Sequence, residues 1–384
     1  MFILTLQTST FTSYGGIPTY NRLVCQVLDT LGDRVNNTVL LGTDDPDRLS
    51  ECSADLCNIQ LEAFGGSRIA LVRRLMQIAT NRPIDLMLIG HVNYAPLGLV
   101  IRTLQPGLKY GVMVHGVDVW GKLSPLRRKA FQQADFIVSV SKYTQRRAVE
   151  ANGVKDERFR LLPNTLRWSV DDEEFPEQQP TAAGIRLLTV CRLDETERYK
   201  GVDTVITALS RVLERVPDVH YWVVGEGRDS SRLKGLAGTC GVADRVHFLG
   251  SVNDDILREQ YRSCDIFVMP SAKEGFGIVF LEAMRYGKAV VAADAGGSPE
   301  VVLDGVTGSL VPYGNSAQLA DAITDLCINR DKRLRLGKAG YRRLRQEFLF
   351  DRFRENLTQI IWREVPALSL YKHRRRLVAT TDGL

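Results

Sequence analysis

No stretch of this 384-residue chain approaches the roughly 18 consecutive apolar residues that a membrane span requires, so no crossing of a bilayer is expected. The first residues, Met1 to Leu6, carry no basic group and are too short for the apolar region of a secretory signal. They read as a buried first strand, and the cytoplasm is the expected compartment. Cysteine is unpatterned: seven residues from Cys25 to Cys327, an odd number with no C-x-x-C pair. This argues against a disulfide framework and against a zinc site, and reduced thiols fit best. Repeats of solenoid period and low-complexity tracts are absent. No basic-aromatic module such as an RRM signature appears, so nucleic acid is not an expected partner.

What is present is ordinary in amount and uneven in placement. Apolar residues at 44% and charged residues at 25% suit a soluble globular protein. The net charge of +5 is modest, but basic groups gather at Arg73-Arg74, Arg127-Arg128-Lys129, Arg146-Arg147 and Lys372 to Arg376. Each alone reads as a solvated helix face. Together they could dock the protein on anionic lipid headgroups or on a lipid-diphosphate acceptor, which makes peripheral contact with the inner face of a membrane an expectation. A helix over Ile69 to Ile78, with Arg73 and Arg74, can either face such a surface or pack in the ordinary way.

A chain of this length exceeds what one hydrophobic core usually serves, and two domains are expected. Short apolar runs alternate with longer amphipathic stretches, the pattern of parallel sheets covered by helices on both faces. One series of strands is expected at Phe2 to Gln7, Thr38 to Leu41, Leu86 to Ile89, Tyr110 to Val114 and Phe136 to Val140, with a helix over Thr19 to Leu31. A second series is expected at Arg186 to Cys191, His220 to Val224, Arg245 to Leu249, Ile266 to Met269 and Ala289 to Ala293. Between them, Arg167 to Gly184 holds Asp171-Asp172-Glu173-Glu174, Pro176 and Pro180 and reads as a hinge. The expected organisation is an N-terminal domain over 1–166, a linker over 167–184 and a C-terminal domain over 185–350. A helix with Phe353, Leu357, Ile360 and Ile361 on one face follows in 351–384 with a tail, and it is expected to pack back towards the N-terminal domain. Open parallel sheets bind ligands at the C-terminal ends of their strands, so the chemistry is expected there.

The strongest local signal is Glu274-Gly275-Phe276-Gly277-Ile278-Val279-Phe280-Leu281-Glu282, directly after the strand at Ile266 to Met269. A strand, a glycine-bearing turn and a helix start make an anion site. Gly277 permits close backbone approach, and the free amides near Ile278 and Val279 face the ligand with the helix dipole behind them. Glu282, one turn deeper, can accept hydrogen bonds from a sugar diol. This segment, continued by Ala283 to Ala292 and by Gly296-Gly297-Ser298-Pro299-Glu300, resembles the Glu-x7-Glu signature of the large retaining glycosyltransferase family of GT-B architecture, glycosyltransferase family 4, also called glycosyl transferases group 1. The resemblance runs across nearly the whole chain. It implies an α/β fold of two Rossmann-like domains facing across a cleft.

Within that resemblance, Val190-Cys191-Arg192-Leu193 and Tyr199-Lys200-Gly201 look like the arginine and lysine that grip the donor diphosphate. Here they stand eight residues apart, farther than is usual in the family. Cations already oriented in a dry site stabilise a departing diphosphate without reorganisation. Gly15 and Gly16, between the first strand and a helix, resemble the double glycine beside the phosphates and the acceptor. His115, in His115-Gly116-Val117-Asp118, resembles the histidine at the reaction centre, and His91 ends another strand where the acceptor is expected. Gly225 and the region from Val246 to Val252 are implied to line the base pocket through main-chain atoms. The Gly225-Glu226-Gly227 run lacks the third glycine of a dinucleotide fingerprint and does not read as an NAD site. Asp44-Asp45-Pro46-Asp47 reads as a plain loop, and nothing visible requires a metal or a cofactor.

The resemblance implies a nucleotide-sugar donor, UDP- or GDP-linked, and a saccharide or lipid-linked acceptor in cell-surface polysaccharide or glycolipid synthesis, with anomeric configuration retained. Two rivals stand beside it. One is a phosphorylase or sugar-phosphate synthase of the same fold. The other is a non-catalytic sugar-nucleotide or polysaccharide-binding protein. Donor base, donor sugar and acceptor are not legible in the residues.

Overall fold

The structure, a computed structural model, describes residues 1–32, 35–166, 175 and 184–365. The hinge expected over 167–184 lies outside these residues apart from Phe175 and Gly184, as do the basic run Lys372 to Arg376 and the tail. The chain forms two compact units, each with its own apolar core. The first takes residues up to 166 together with the helix Phe350–Glu364, and the second takes 184–349.

In the first unit, β1 (Phe2–Gln7), β2 (Asn36–Leu41), β3 (Ile59–Ala63), β4 (Leu86–Ile89), β5 (Lys109–Val114), β6 (Phe136–Ser139) and β7 (Phe159–Leu161) form a seven-stranded sheet. Its order is β3-β2-β1-β4-β5-β6-β7, parallel throughout. In the second, β8 (Ile185–Val190), β9 (Val219–Val224), β10 (Val246–Gly250), β11 (Ile266–Met269), β12 (Ala289–Ala293) and β13 (Gly308–Val311) run parallel in the order β10-β9-β8-β11-β12-β13. The inner strands are near-continuous apolar runs: β1, β4, β6, β11 and β12 are buried at every position, as strands covered on both faces must be.

Three strands were not expected, and all three are edges: β3, β7 and β13. An edge strand needs no apolar run on both faces. Ile59–Ala63 is half exposed along its length, Phe159–Leu161 has three residues and Gly308–Val311 has four. Each sheet reverses its order once, between β1 and β4 in the first and between β8 and β11 in the second. At such a reversal the neighbouring loops part and leave a crevice. Every expected catalytic residue but His115, and most of the expected ligand-binding ones, follow one of those four strands.

Helices cover the sheets through faces set by their spacing. In Val202–Leu213 the buried residues Val202, Val205, Ile206, Leu209 and Val212 recur every three or four positions. Each such side chain stabilises by about 1.5–3 kcal/mol relative to exposure. The helix Phe350–Glu364 buries Phe353, Leu357, Ile360 and Ile361, and Phe353 meets the ring of Tyr20 edge-on at 5.6 Å. Its last turn is fixed to the same unit by polar contacts: Glu364 accepts from Arg160 at 2.8 Å, and its carbonyl accepts from Lys109 at 2.8 Å.

The helix Arg330–Glu347 lies so close to the turn after Tyr286 that a Cβ on Gly337 would stand 1.9 Å from the Gly287 carbonyl oxygen. Gly235, inside the helix Ser230–Thr239, has open space instead. Gly337→Ala should therefore destabilise by about 1–3 kcal/mol, whereas Gly235→Ala should stabilise by about 0.5–1 kcal/mol. Urea denaturation of the two variants checks the pair, and equal effects would refute the packing argument.

Candidate active site

At the reversal of the second sheet, the loop after β8 carries the expected cations and the loop after β11 carries the expected glutamate. The long spacing from Arg192 to Lys200 is taken up by a tight 3-10 turn, Glu195–Lys200. Asp194 starts it by accepting from the Thr196 amide at 2.9 Å and its hydroxyl at 2.6 Å. Gly201 ends it at φ 80°, where a Cβ would stand 2.6 Å from the Pro270 carbonyl oxygen. The Ala272 amide donates to the Tyr199 carbonyl at 2.8 Å, so the two loops are joined by their main chains. Behind the turn, buried Asp229 accepts from Arg198 at 3.0 Å and from Arg232 at 2.7 Å and 2.5 Å.

The result is that Lys200 reaches Glu274: Nζ lies 2.6 Å from Oε1, with the two side chains 19% and 10% exposed. Burial alone would lower the ammonium pKa, but the carboxylate more than offsets it and holds the group above the ordinary lysine value. Arg192 is not drawn to the same point. It is 70% exposed, and its guanidinium pairs with Glu197 inside the 3-10 turn.

Glu274 sits on a loop built around glycines. A Cβ on Gly296 would stand 2.6 Å from the Glu274 carbonyl oxygen and one on Gly297 2.4 Å from that of Gly275. The Gly297 amide donates to the Glu274 carbonyl at 2.7 Å. The helix Ile278–Arg285 then begins at Gly277, φ 95°, with no side chain capping it. The first-turn amides at Ile278 and Val279 have no preceding helical carbonyl, which leaves them for an anion. Phe276 contributes backbone only, since its ring is buried edge-on to Phe348 at 5.6 Å. Glu282 is buried and accepts from the Tyr261 hydroxyl at 2.7 Å. Sequence spacing alone does not show this partner.

Gly225 closes the end of β9 at φ 131°, where a Cβ would stand 1.8 Å from the Cys191 carbonyl oxygen. Its amide donates to the Gly250 carbonyl at 2.8 Å. Val246 was expected to border the base pocket through its main chain. It starts β10, at the opposite end from Gly225, and its side chain belongs to the apolar core. Gly250, at the C-terminal end of the same strand, is the residue that meets Gly225.

At the reversal of the first sheet, Gly15 caps the helix Gly16–Thr30 at φ 132° without a side-chain bond, and Gly16 is exposed with open space around it. Gly90 ends β4 and donates its amide to the Leu6 carbonyl at 2.7 Å, which sets His91 beside β1. His115 follows β5, and its Nε2 lies 2.8 Å from the Gly90 carbonyl oxygen. A carbonyl only accepts, so Nε2 carries the proton and Nδ1 keeps its lone pair. His91 is the same tautomer with the other nitrogen engaged: its Nδ1 accepts from the Asn93 amide at 3.1 Å, leaving Nε2–H as donor. The two rings stack with centroids 6.2 Å apart.

Burial pushes the His115 imidazole down to about 4, and the bond to Gly90 opposes that only in part, so the ring is neutral at physiological pH. Burial likewise lowers His91. Asp118 accepts from the Gly116 amide at 2.6 Å and the His115 amide at 3.1 Å, holding the turn that presents the ring. Burial raises its carboxyl to about 6, against the lowering effect of His91 and the amides. The sequence reading assigned Asp118 no role. An aspartate shortly after a strand-ending His-Gly pair is nevertheless a turn-capping signal.

Comparison with known proteins places the chain among glycosyltransferases. The family model described as Glycosyl transferases group 1 matches residues 172–343, and Glycosyltransferase Family 4 matches residues 14–166. A GDP-mannose-dependent alpha-(1-6)-phosphatidylinositol monomannoside mannosyltransferase of Mycobacterium tuberculosis is 32% identical over 287 residues, 70% of this chain and 73% of that one. The monoacylated-substrate counterpart of Corynebacterium glutamicum is 31% identical over 76% of this chain and 79% of its own. Among solved structures, HepE of Anabaena in complex with UDP and glucose superposes with a TM-score of 0.77 at 22% identity, covering 94% of this chain and 99% of that one. Sucrose-phosphate synthase of Thermosynechococcus elongatus gives 0.75 at 22% identity, with 95% and 99% covered. With two Rossmann-like domains of the GT-B kind and relatives of this identity over most of their length, the chain belongs to glycosyltransferase family 4 and is a glycosyltransferase.

Proposed function

We propose that this enzyme transfers a hexosyl group, with retention of anomeric configuration, from a nucleoside-diphosphate sugar to a hydroxyl of a saccharide or lipid-linked acceptor in cell-surface polysaccharide or glycolipid synthesis. The observation that carries the reading is the Lys200–Glu274 pair at 2.6 Å, next to the uncapped helix start at Gly277. A cation, a carboxylate and open amides meet at one crevice, as a sugar bonded to a diphosphate requires.

In this reading the diphosphate takes the amides of Ile278 and Val279, with Lys200 as a point charge and Arg192 leaving Glu197 to bind phosphate oxygens. Glu274 holds donor-sugar hydroxyls. The anomeric carbon–phosphate oxygen bond breaks, the acceptor oxygen bonds to the same face, and the leaving phosphate oxygen takes the acceptor proton. Glu282, which accepts from the Tyr261 hydroxyl, holds the ribose. Gly225 and Gly250 border the base. In the first unit, Gly15, Gly16, His91 and His115 receive the acceptor and the transferred sugar, the neutral His115 ring accepting from a hydroxyl. The leaving group's charge is met by side chains and amides, and no metal or cofactor is assigned a part. The names of the relatives at 31–33% identity favour GDP-mannose as the first donor to try and an inositol glycolipid as the first acceptor.

The proposal includes a cytoplasmic enzyme that touches the inner face of the membrane. Among the described residues no helix is long and apolar enough to cross one. Ile69 is 84% exposed between Arg68 and the exposed Arg73, and Leu126 is 61% exposed beside Arg127, a combination that suits an anionic interface. Co-sedimentation should be stronger with phosphatidylglycerol vesicles than with phosphatidylcholine vesicles and should weaken in salt. Equal recovery with both lipids would end this part of the proposal.

Glu274→Ala and Lys200→Ala should each lower turnover about a hundredfold with GDP-mannose or whichever donor proves active, while the fold persists by circular dichroism. Because the two groups act as a pair, the double variant should lose little more than either alone. Undiminished turnover in both single variants would remove the assignment.

The pH dependence of stability tests the neutral His115. An unfolded chain protonates this imidazole near the ordinary value of 6.5 and the folded chain at about 4. Its contribution is therefore complete above 6.5 and lost as pH falls from 6.5 to 4. Asp118 titrates at about 6 when folded against an ordinary 3.8, so it favours the fold increasingly as pH falls through the same range. The slopes oppose each other. Asp118→Asn should uncover the histidine's slope, with stability in urea melts falling more steeply than wild type between pH 6.5 and 4.5. Parallel curves would contradict the buried neutral ring.

A further inference from the structure

Three consecutive backbone amides of the first unit converge on one carboxylate. In the loop after β1, Thr10 donates its N–H to Asp44 Oδ2 at 2.8 Å, and Phe11 and Thr12 donate theirs to Oδ1 at 2.5 Å and 2.8 Å. The Thr12 hydroxyl stands 3.4 Å from the same oxygen. Asp44 is fully buried, at 0% exposure. A carboxylate is costly to bury unless its lone pairs are met, and here they are met by main-chain donors. Successive amides around an anion form a nest, and the loop after the first strand, at the reversal of a Rossmann sheet, is where a ligand phosphate ordinarily finds one. In this unit the protein's own side chain occupies that seat.

The carboxylate is itself firmly placed. Just beyond β2, the Gly42 amide donates to the Gln7 carbonyl and the Thr43 amide to the Thr8 carbonyl, each at 2.9 Å, and the Asp44 carbonyl accepts from Gly65 at 2.9 Å. The loop is held from its other side by the helix Gly16–Thr30. Asn21 Nδ2 donates to the Ser9 carbonyl at 2.8 Å, Gln7 Nε2 to the Asn21 carbonyl at 3.1 Å, and the Thr10 hydroxyl to Gln7 Oε1 at 2.8 Å. Asn21 also borders the site, because a Cβ on Gly90 would lie 3.4 Å from its Oδ1, and the Gly90 carbonyl is the partner of His115. Between the anchored Thr12 and the helix cap at Gly15 only Ser13 and Tyr14 intervene.

We infer that Asp44 is a positioning residue for glycosyl transfer: seated in the Thr10–Thr12 amides, it fixes the approach to Gly15 and Gly16 and leaves that helix start, rather than the loop, to meet substrate. The inference rests on the transferase reading, in which Gly15 and Gly16 contact substrate. An asparagine at this position would turn an –NH2 towards amides that already donate, and the loop would have to shift. A displacement of about 1 Å at reacting groups costs on the order of a hundredfold.

The test uses the full chain. Asp44→Asn and Asp44→Gly should each lower kcat/KM for transfer about a hundredfold, while GDP binding by calorimetry, a property of the second unit, stays at the wild-type Kd. Hydrogen exchange should rise at Thr10, Phe11 and Thr12 and stay unchanged in β9 and β11. Sodium formate should restore a substantial part of kcat/KM to Asp44→Gly by placing a carboxylate in the vacated seat, with no effect on wild type. Rescue also covers the case in which Asp44→Asn does not fold. Wild-type kcat/KM in either variant overturns the inference and leaves the transferase reading intact, as does a folded Asp44→Gly that formate does not help. A wild-type enzyme that neither binds GDP or UDP nor transfers would overturn the transferase reading and this inference with it.

Discussion

In the proposed reaction the chemistry depends on the ion pair between Lys200 and Glu274, and that pair forms where two loops leave the second sheet at its reversal. β8 and β11 are neighbours, so the segments that follow them start side by side and then part. The main-chain bond from Ala272 to Tyr199, and the absence of a side chain at Gly201, bring the lysine back across that gap. The carboxylate keeps the lysine charged in a partly buried place, where the ammonium alone would be costly to keep ionised. A ligand that inserts between them meets both signs already oriented.

The first unit reaches an analogous arrangement with other materials. Its crevice lies between β1 and β4, and the polar groups there are a histidine pair, one engaged through Nδ1 and the other through Nε2, and an uncapped helix start. Neutral rings suit hydroxyl groups, which both donate and accept, whereas the cations and amides of the second unit suit phosphate. The proposed division of labour between acceptor and donor would follow from the type of group each reversal offers.

Much of this was legible in the residues. The central strands announced themselves as apolar runs, and Glu274 through Glu282 announced a strand, a turn and a helix start. The edge strands were silent because an edge is packed on fewer sides, and Ile59–Ala63 reads no differently from a polar loop. Partners far apart in the chain were silent too. Nothing near Asp44 tells that its carboxylate faces the amides of Thr10 to Thr12, and nothing near Glu282 names Tyr261. The reach of Lys200 could not be judged from an eight-residue spacing, because the answer lay in how six of those residues coil.

Glycines wall much of the second unit's crevice, and their Cβ positions are already occupied by carbonyl groups of neighbouring loops: Cys191 at Gly225, Glu274 at Gly296, Gly275 at Gly297. Such a pocket resists retuning one residue at a time. New side chains cannot be added at these points without shifting the main chain, so a lineage that changes its donor must do so through the sparser positions that do project side chains. Divergence in substrate choice among descendants of this fold should therefore be concentrated in few places, with the backbone surface inherited almost unaltered.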